Sequence, residues 1–295
     1  MPTSMMLRIL FVGIVVPSYI VETHNALSMQ EVIDAAIDKA MTKASNKLQH
    51  RLEKEYESAD EEQQRIEKFI VNLKIIIKEN VRFNDGVKSF KLHMNRFGDM
   101  DLSEFRKKMI GLNSGGNGFG TRIQLSQQQI VDCSPNNGCS GGFFDATFQY
   151  IKQSSGLASE KSYPYVGTQQ SCSLKSAKLG SIKGYGTTPN GNEEEMKRAL
   201  STYGPLAAGV YVTSDFQFYG PSQRAGTSDI IDIASCPKTI DHAIAIVGYG
   251  TENGQDYWLV RNSWGADWGL NGYFKIARNK DSMCGIATYG YYTQV

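Results

Sequence analysis

The sequence predicts an α+β protein in which helices come first and an antiparallel sheet or barrel follows. Helical periodicity and capping patterns dominate residues 29–109, whereas short β-prone runs separated by Gly, Asn and Pro dominate from residue 182 onward. The composition is that of a globular protein, with 41% hydrophobic and 21% charged residues, and excludes wholesale disorder. The formal net charge of +1 gives no indication of nucleic-acid binding.

The first residues have the order of a secretory signal peptide. A weakly basic start ending at Arg8 precedes an apolar run over residues 9–16, which Pro17 and Ser18 close. The run is too short to span a bilayer, and a buried strand is the alternative interpretation. We expect residues 1–24 to be a signal peptide, the protein to be lysosomal or extracellular, and no membrane association.

Capping patterns predict the helices that follow. Ser28 and Ser58 each precede a Glu by three positions, as in the capping box, and predict helices over about 29–56 and 59–80. In the second helix a set of residues recurs at steps of three and four, and so shares one face: Arg65, Phe69, Asn72, Ile76 and Asn80.

A short strand, another helix and a linker complete the first part. Alternating apolar residues predict the strand, at Phe90, Leu92 and Met94, and Asp101 caps a helix that continues to Met109. The glycine-rich stretch 111–120 lacks periodicity and is predicted to be a loop at a domain boundary.

The second part begins with helices and continues with strands. Ser126 caps a brief helix through Val131, residues 138–142 form a tight turn, and residues 143–153 form a helix. Four β-prone runs follow: Val210–Val212, Ala243–Val247, Tyr257–Val260 and Tyr273–Ile276.

One His and one Asn in this strand-rich part are candidates for chemistry. His242 opens a strand-like run, and Asn262 follows another strand in a turn that contains Trp264 and Trp268. A lone His is more often structural. Followed about twenty residues later by this Asn, however, His242 can form a His–Asn pair in which the amide orients the imidazole.

At this point the sequence resembles the papain-like cysteine proteases, specifically zymogens of the cathepsin L type. The six-residue helical signature of that family's propeptide is complete, from Glu61 to Asn80. Asn95-x-Phe97-x-Asp99 matches the second propeptide motif, although His93 stands where the family usually has Gly or a small residue. Six further segments match in order: residues 125–133, 138–142, 162–165, 241–242, 257–265 and 284–285.

The resemblance implies a papain-like two-lobe fold, a helical lobe and an antiparallel β-barrel lobe, preceded by a helical propeptide. It divides the chain into a signal peptide (1–24), an inhibitory propeptide (25–112), a Gly-rich junction (113–124) and a truncated peptidase domain (125–295). It implies peptide or protein substrates, the protein's own propeptide as intramolecular inhibitor, a monomer, and no cofactor or metal.

The resemblance also assigns site residues. His242 and Asn262 take the catalytic roles of base and orienting partner, and Trp264 supports them by shielding their hydrogen bond, with plain packing as the alternative. The implied substrate-binding residues line the groove: Gly141, Gly142, Phe143, Ile240, Asp241 and Ala243.

The nucleophile that the resemblance requires is absent. The family's Cys stands in a C-G-[SA]-C-[WY] segment roughly 130 to 150 residues before the His and Asn, which places it near Leu112, and no Cys precedes Cys133. Residues 113–123 replace a segment on the order of 50 residues, which in the family holds the oxyanion-hole Gln, a structural Cys, the nucleophile and the central helix. The helical lobe is therefore expected to be incomplete.

The five cysteines agree with this expectation. The resemblance implies the disulfides Cys133–Cys172 and Cys236–Cys284 and leaves Cys139 unpaired, because its usual partner belongs to the absent segment. That Cys139 has become the nucleophile is the alternative, but it lies on a glycine turn and not at a helix N-terminus.

Three interpretations follow. The chain is a shortened form, by splicing or gene prediction, of a working cysteine endopeptidase; or it is a pseudoprotease or propeptide-type inhibitor that binds other cysteine proteases; or it misfolds because apolar surface is left uncovered. In each case the chain as written is predicted to have no peptidase activity.

Overall fold

A computed structural model describes residues 56–109, 124–174, 178–222 and 227–295. The chain divides into two compact units, residues 1–78 and 79–295. The predicted signal peptide, the helix predicted to begin after Ser28 and nearly all of the predicted Gly-rich junction lie outside the described residues.

Helix α1 spans Ala59–Asn84, four residues beyond its predicted end. Ser58 caps it, because its Oγ accepts a hydrogen bond of 3.2 Å from the Glu61 N–H. The Glu61 carboxylate reaches back to the N–H of Glu57, at 3.0 Å, one residue farther than a capping box predicts. In the first unit, Phe69, Asn72 and Ile76 of this helix are buried.

The second unit begins with the last turns of α1, strand β1 and helix α2. Strand β1 is Lys91–Leu92, shorter than the predicted alternation, and α2 is Leu102–Met109. Asp101 caps α2, since its Oδ1 accepts a hydrogen bond of 2.8 Å from the Glu104 N–H.

The helical segment of residues 124–174 contains two α-helices and a short 3₁₀ turn. Helix α3 is Gln127–Cys133, capped by Ser126 as predicted. Helix α4 is Phe144–Gln153, one residue shorter than predicted because Phe143 is extended and serves as its N-cap. Cys133 is bonded to Cys172, the pairing that the resemblance implies.

A seven-stranded sheet fills most of the remaining described chain, in the order β2-β9-β3-β6-β7-β8-β5. Every neighbouring pair is antiparallel except β5 with β8. The strands are β2 (Gly184–Thr187), β3 (Leu206–Val210), β5 (Ile230–Ile231), β6 (His242–Glu252), β7 (Gln255–Arg261), β8 (Tyr273–Ala277) and β9 (Gly290–Gln294). The small strand β4 (Tyr219–Gly220) pairs instead with β1.

The predicted antiparallel sheet is present in this part of the chain, but some of its elements were predicted wrongly or missed. Of the predicted run Val210–Val212 only Val210 belongs to a strand, because β3 ends at that residue. Helices α5 (Glu193–Tyr203) and α6 (Ser214–Gln217) were not predicted, and neither were the Gly- and Tyr-rich strands β2 and β9.

The core of the strand-rich part is aromatic. Its largest members are less than 2% exposed: Trp258, Trp264, Trp268, Tyr219, Phe216, Phe218 and Phe274. Cys236 is bonded to Cys284, the second pairing that the resemblance implies. Across the described residues, no helix combines the length and the apolar character that crossing a bilayer requires.

Candidate functional site

Two neighbouring strands bring His242 and Asn262 together. His242 is the first residue of β6, and Asn262 directly follows β7, which pairs with β6 in antiparallel register. His242 Nε2 lies 2.9 Å from Asn262 Oδ1, and both residues are buried. The predicted His–Asn pair is therefore present as a hydrogen bond.

The hydrogen bonds around Asn262 determine the tautomer of the imidazole. The Ser263 N–H donates to Asn262 Oδ1 at 2.8 Å, so this oxygen is the acceptor of the amide. His242 Nε2 must then carry the proton and donate it to the same oxygen. A neutral ring consequently has its lone pair on Nδ1, which is buried and has no hydrogen-bond partner in the described part of the chain.

Burial keeps this imidazole neutral. Desolvation lowers the pKa of His242 to about 4, and the hydrogen bond with Asn262 opposes the shift only partly. Above that pH the ring is neutral, with its proton on Nε2 and a free lone pair on Nδ1.

Trp264 covers one face of the pair. Its ring lies 4.9 Å from the His242 ring at 31°, and the side chain is fully buried. It also makes edge-to-face contacts of 4.8 Å with Phe105 and with Trp268. Trp264 thus has both of the environments considered above, a place over the His–Asn pair and a place in the aromatic core.

The segment of residues 95–106 also contacts the site. Arg106 forms an ion pair of 3.0 Å with Asp241, the neighbour of His242, and its guanidinium lies 4.8 Å over the ring of Tyr211. Burial raises the pKa of the Asp241 carboxyl, against the opposing effects of the Val212 N–H, at 2.9 Å, and of Arg106. A basic side chain of α2 is therefore paired with the residue that directly precedes His242 in the sequence.

Two further residues of the same segment, Arg96 and Phe105, contact Trp264. Arg96 Nη2 donates to the Trp264 carbonyl at 2.7 Å, and Phe105 packs on the indole. Residues 95–106 thus contact Trp264 and Asp241, which flank the pair. The sequence analysis missed Arg96, Phe105 and Arg106, although they lie within and just after the recognised Asn95-x-Phe97-x-Asp99 motif.

The predicted groove residues are spread over two places. Ala243 is buried in one apolar cluster with Phe144 and Phe148 of α4. Ile240 lies against Gly209, where a Cβ would be only 2.5 Å from Ile240 Cδ1.

Asn136 contacts the predicted groove residues Gly142 and Phe143. Gly141 has φ +105°, which favours glycine, and a Cβ on Gly142 would meet the Asn136 side chain at 2.3 Å. Asn136 Oδ1 accepts a hydrogen bond of 2.8 Å from the Phe143 N–H, while the Phe143 side chain is 74% exposed. Asn136, in an Asn-Asn-Gly turn, is a structural residue that the sequence analysis did not single out.

Cys139 is a free, exposed thiol in the 3₁₀ turn Gly138–Ser140. Its Sγ lies 3.9 Å from the Gly167 carbonyl oxygen. Among the described residues, no group of three or more His, Cys, Asp or Glu side chains is arranged to hold a metal ion.

Comparison with known families divides the chain in two. The family described as papain family cysteine protease matches residues 112–294, and the cathepsin propeptide inhibitor domain (I29) matches residues 46–105. The site pair lies in the first match, and Arg96 and Phe105 lie in the second.

Individual relatives agree with these matches. The chain is 34% identical to "Cathepsin L" of Sarcophaga peregrina, over 81% of this chain and 89% of the relative. It superposes on digestive procathepsin L2 from the larval midgut of Tenebrio molitor with a TM-score of 0.76 and 27% identity, over 88% of this chain and 100% of that one. For digestive procathepsin L 3 of the same insect the TM-score is 0.73 at 27% identity, over 90% and 99% of the two chains.

The alignment with the Sarcophaga protein contains unmatched positions. It extends over 308 residues but includes only 81% of the 295 residues of this chain, so roughly 70 of its positions have no residue of this chain.

Proposed function

Because the chain belongs to the papain family of cysteine proteases, we propose that its His242–Asn262 pair is the base and orienting partner of thiol-dependent peptide hydrolysis, in a cathepsin L-like zymogen that lacks the thiol. The observation that carries this proposal is the hydrogen bond of 2.9 Å between the two side chains, which leaves Nδ1 of His242 unpartnered in the described structure.

The chemistry of such a pair needs a proton donor at Nδ1. A Cys thiol gives its proton to the imidazole, the thiolate attacks the peptide carbonyl carbon, and the imidazolium then protonates the leaving amine. The acyl thioester that remains is cleaved by water, which the imidazole deprotonates, and the Cys thiol is regenerated. Asn262 holds the ring through Nε2, so the lone pair of Nδ1 has a defined direction throughout the cycle. Trp264 supports the pair by keeping water away from this hydrogen bond.

We propose that this chain does not complete the cycle. No Cys precedes Cys133 in the sequence, Cys133 is in a disulfide, and Cys139 lies on an exposed turn. The roughly 70 unmatched alignment positions are enough to include a lost segment on the order of 50 residues, the size that the His and Asn spacing indicates.

The test is hydrolysis of a fluorogenic dipeptidyl substrate by the full chain, after acid activation and with a reductant present. We expect the rate to equal that of a matched His242→Ala variant, because the base has no thiol to activate. Turnover that Cys139→Ala abolishes would overturn the proposal. A longer transcript that inserts a Cys-containing segment between residues 113 and 123 would identify the working form of the enzyme.

The remaining assignments complete this proposal. Residues 1–24 are a signal peptide that directs the protein into the secretory pathway, towards a lysosomal or extracellular destination. Residues 25–112 are the propeptide, residues 113–124 a junction and residues 125–295 the truncated peptidase domain. Peptides or proteins are the substrates of the complete form, with Gly141, Gly142 and Phe143 on one side of the groove and Ile240, Asp241 and Ala243 on the other.

A second function is inhibition of other cysteine proteases. It is favoured by the match of residues 46–105 to the propeptide inhibitor domain and by the contacts of Arg96 and Phe105 with Trp264. The peptide of residues 25–110 is expected to slow a cathepsin L-like enzyme, with Arg96→Ala and Phe105→Ala weakening the inhibition. Absence of inhibition at micromolar concentration would remove this function.

A further inference from the structure

The loop that begins at the Asn of the site is closed by a hydrogen bond at its base. Strands β7 and β8 pair in antiparallel register, and Arg261 opposite Tyr273 is the last pair of that ladder. One position further on, the Asn262 N–H donates a hydrogen bond of 2.9 Å to the Gly272 carbonyl. The residues between Asn262 and Gly272 connect the two strands. Gly272 therefore lies opposite Asn262 and holds its main chain.

The side-chain amide of Asn262 is anchored only through its oxygen in the described structure. Oδ1 accepts hydrogen bonds from the Ser263 N–H, at 2.8 Å, and from His242 Nε2, at 2.9 Å. Nδ2 is buried and has no hydrogen-bond partner among the residues that the structure describes. Because no bond at Nδ2 fixes the amide, the direction of Oδ1 towards the imidazole depends on where Gly272 holds the main chain of Asn262.

Gly272 has a conformation and surroundings that exclude a side chain. Its φ of +87° lies in the left-handed region, which favours glycine. A Cβ at this position would lie 3.2 Å from the carbonyl oxygen of Gly265, the residue after Trp264. The Gly272 N–H also donates to the Trp268 carbonyl at 2.7 Å. Since both contacts are with main-chain atoms of the same loop, a side chain would displace the carbonyl that holds Asn262.

We propose that Gly272 is a positioning residue for the His–Asn pair, because its carbonyl sets the main chain of Asn262 so that Oδ1 accepts the Nε2 proton of His242. The inference rests on the function proposed above for this pair, and its tests need no peptidase activity. Gly272 acts through Asn262 and not on the imidazole directly. Displacement of its carbonyl should weaken the preference of the neutral ring for the Nε2–H tautomer over the Nδ1–H tautomer.

Two glycine variants test the proposal. Gly272→Ala adds a Cβ at positive φ and against the Gly265 carbonyl. Gly254→Ala is the matched control, because Gly254 has φ +77° in the turn between β6 and β7, where a Cβ meets nothing within 4 Å. Long-range proton–nitrogen NMR of the imidazole measures the ratio of its two tautomers at about pH 7, where the ring is neutral. We expect Gly272→Ala to lower the ratio of Nε2–H to Nδ1–H about five-fold, as for the loss of one neutral hydrogen bond, and Gly254→Ala to leave it unchanged.

The outcomes distinguish this proposal from the function on which it rests. An unchanged ratio in Gly272→Ala, or an equal change in the two variants, would overturn the role of Gly272. A natural chain in which the Nδ1–H tautomer dominates would instead contradict the hydrogen-bonded pair of His242 and Asn262.

Hydrogen exchange in the natural chain decides the question if Gly272→Ala does not fold. When the bond to Gly272 positions Asn262, one opening of the loop exposes both the Asn262 amide and the Nε2–H of His242. The protection factors of these two protons, each corrected for its intrinsic rate, are then expected to agree within about ten-fold. A larger difference would overturn the proposal, because the pair would open while the bond between Asn262 and Gly272 stays closed.

Discussion

The strand-rich part after residue 182 and the helical segment of residues 124–174 are held together differently. In the strand-rich part, Trp258, Trp264 and Trp268 are at most 1% exposed. In the helical segment, Phe144, Phe148 and Ile151 keep 7–8% of their surface. The helical segment relies instead on buried polar groups. Gln129 Oε1, for example, accepts a hydrogen bond of 2.7 Å from the Ala158 N–H.

The difference shows which part supports the other. Phe148 packs on Tyr185 of β2 at 5.7 Å, and Phe144 packs on Tyr291 of β9 at 5.3 Å. The apolar side chains of α4 are thus buried largely against strands. His242 and Asn262 both come from the part with the larger aromatic core, so the candidate site keeps its geometry although the helical segment is small.

The strongest test of the strand-rich core is removal of the indole beside the site. Trp264→Ala is expected to lower the free energy of unfolding by about 3–5 kcal/mol, because it leaves a large cavity between His242, Phe105 and Trp268. Guanidinium unfolding measures the change, with Trp264→Phe as the control that retains an aromatic ring and loses less. A decrease in the free energy of unfolding of less than about 1 kcal/mol would contradict the claim that this aromatic core stabilises the strand-rich part.

Acid should weaken the same part through His242. Its pKa is about 4 in the folded chain and close to 6.5 when unfolded, so the unfolded state binds more protons between these values. Stability is expected to fall by about 3 kcal/mol as the pH decreases from 6.5 to 4, and this contribution to change no further below. Urea unfolding at several pH values, with His242→Gln as the control, isolates the effect. Parallel pH profiles for the two proteins would refute it.

Removing each of the two disulfides should destabilise a different part of the molecule. Replacing both members of either pair by Ser is expected to cost about 2–4 kcal/mol. Loss of Cys133–Cys172 should increase hydrogen exchange chiefly in residues 124–174 and leave β6 and β7 protected, since those strands belong to the other core. Loss of Cys236–Cys284 is the matched control. Equal loss of protection across the chain in both variants would mean that the two parts unfold as one.

The smallest effect is expected at Phe143. Its side chain is 74% exposed, so Phe143→Ser should change the free energy of unfolding by no more than about 0.5 kcal/mol. The adjacent Phe144→Ser, which removes a ring that is only 7% exposed, is the control and should cost more than about 2 kcal/mol. Calorimetric melting distinguishes the two. A comparable cost at Phe143 would show that the helical segment packs more tightly than its exposure indicates.

Local chemistry made several elements predictable. Ser58, Asp101 and Ser126 each cap a helix that the sequence predicts to begin there. In each case the side-chain oxygen accepts a hydrogen bond from the N–H of the residue three positions later. The same kind of signal was present at Asn192, whose Oδ1 accepts from the Glu195 N–H at 2.9 Å, but α5 was missed because β-prone runs surround it. Strands β2 and β9 were missed because glycine and tyrosine gain strand structure from pairing with each other.

The sequence by itself determined the family, the residues of the His–Asn pair and the absence of a Cys before Cys133, because residue identity, order and spacing suffice for these. Only the tertiary structure decided that Nδ1 of His242 is buried without a partner in the described chain and that Arg106 reaches Asp241. Each of these depends on contacts between residues far apart in sequence. Strand register and side-chain packing bring such residues together, and local sequence patterns do not contain that information.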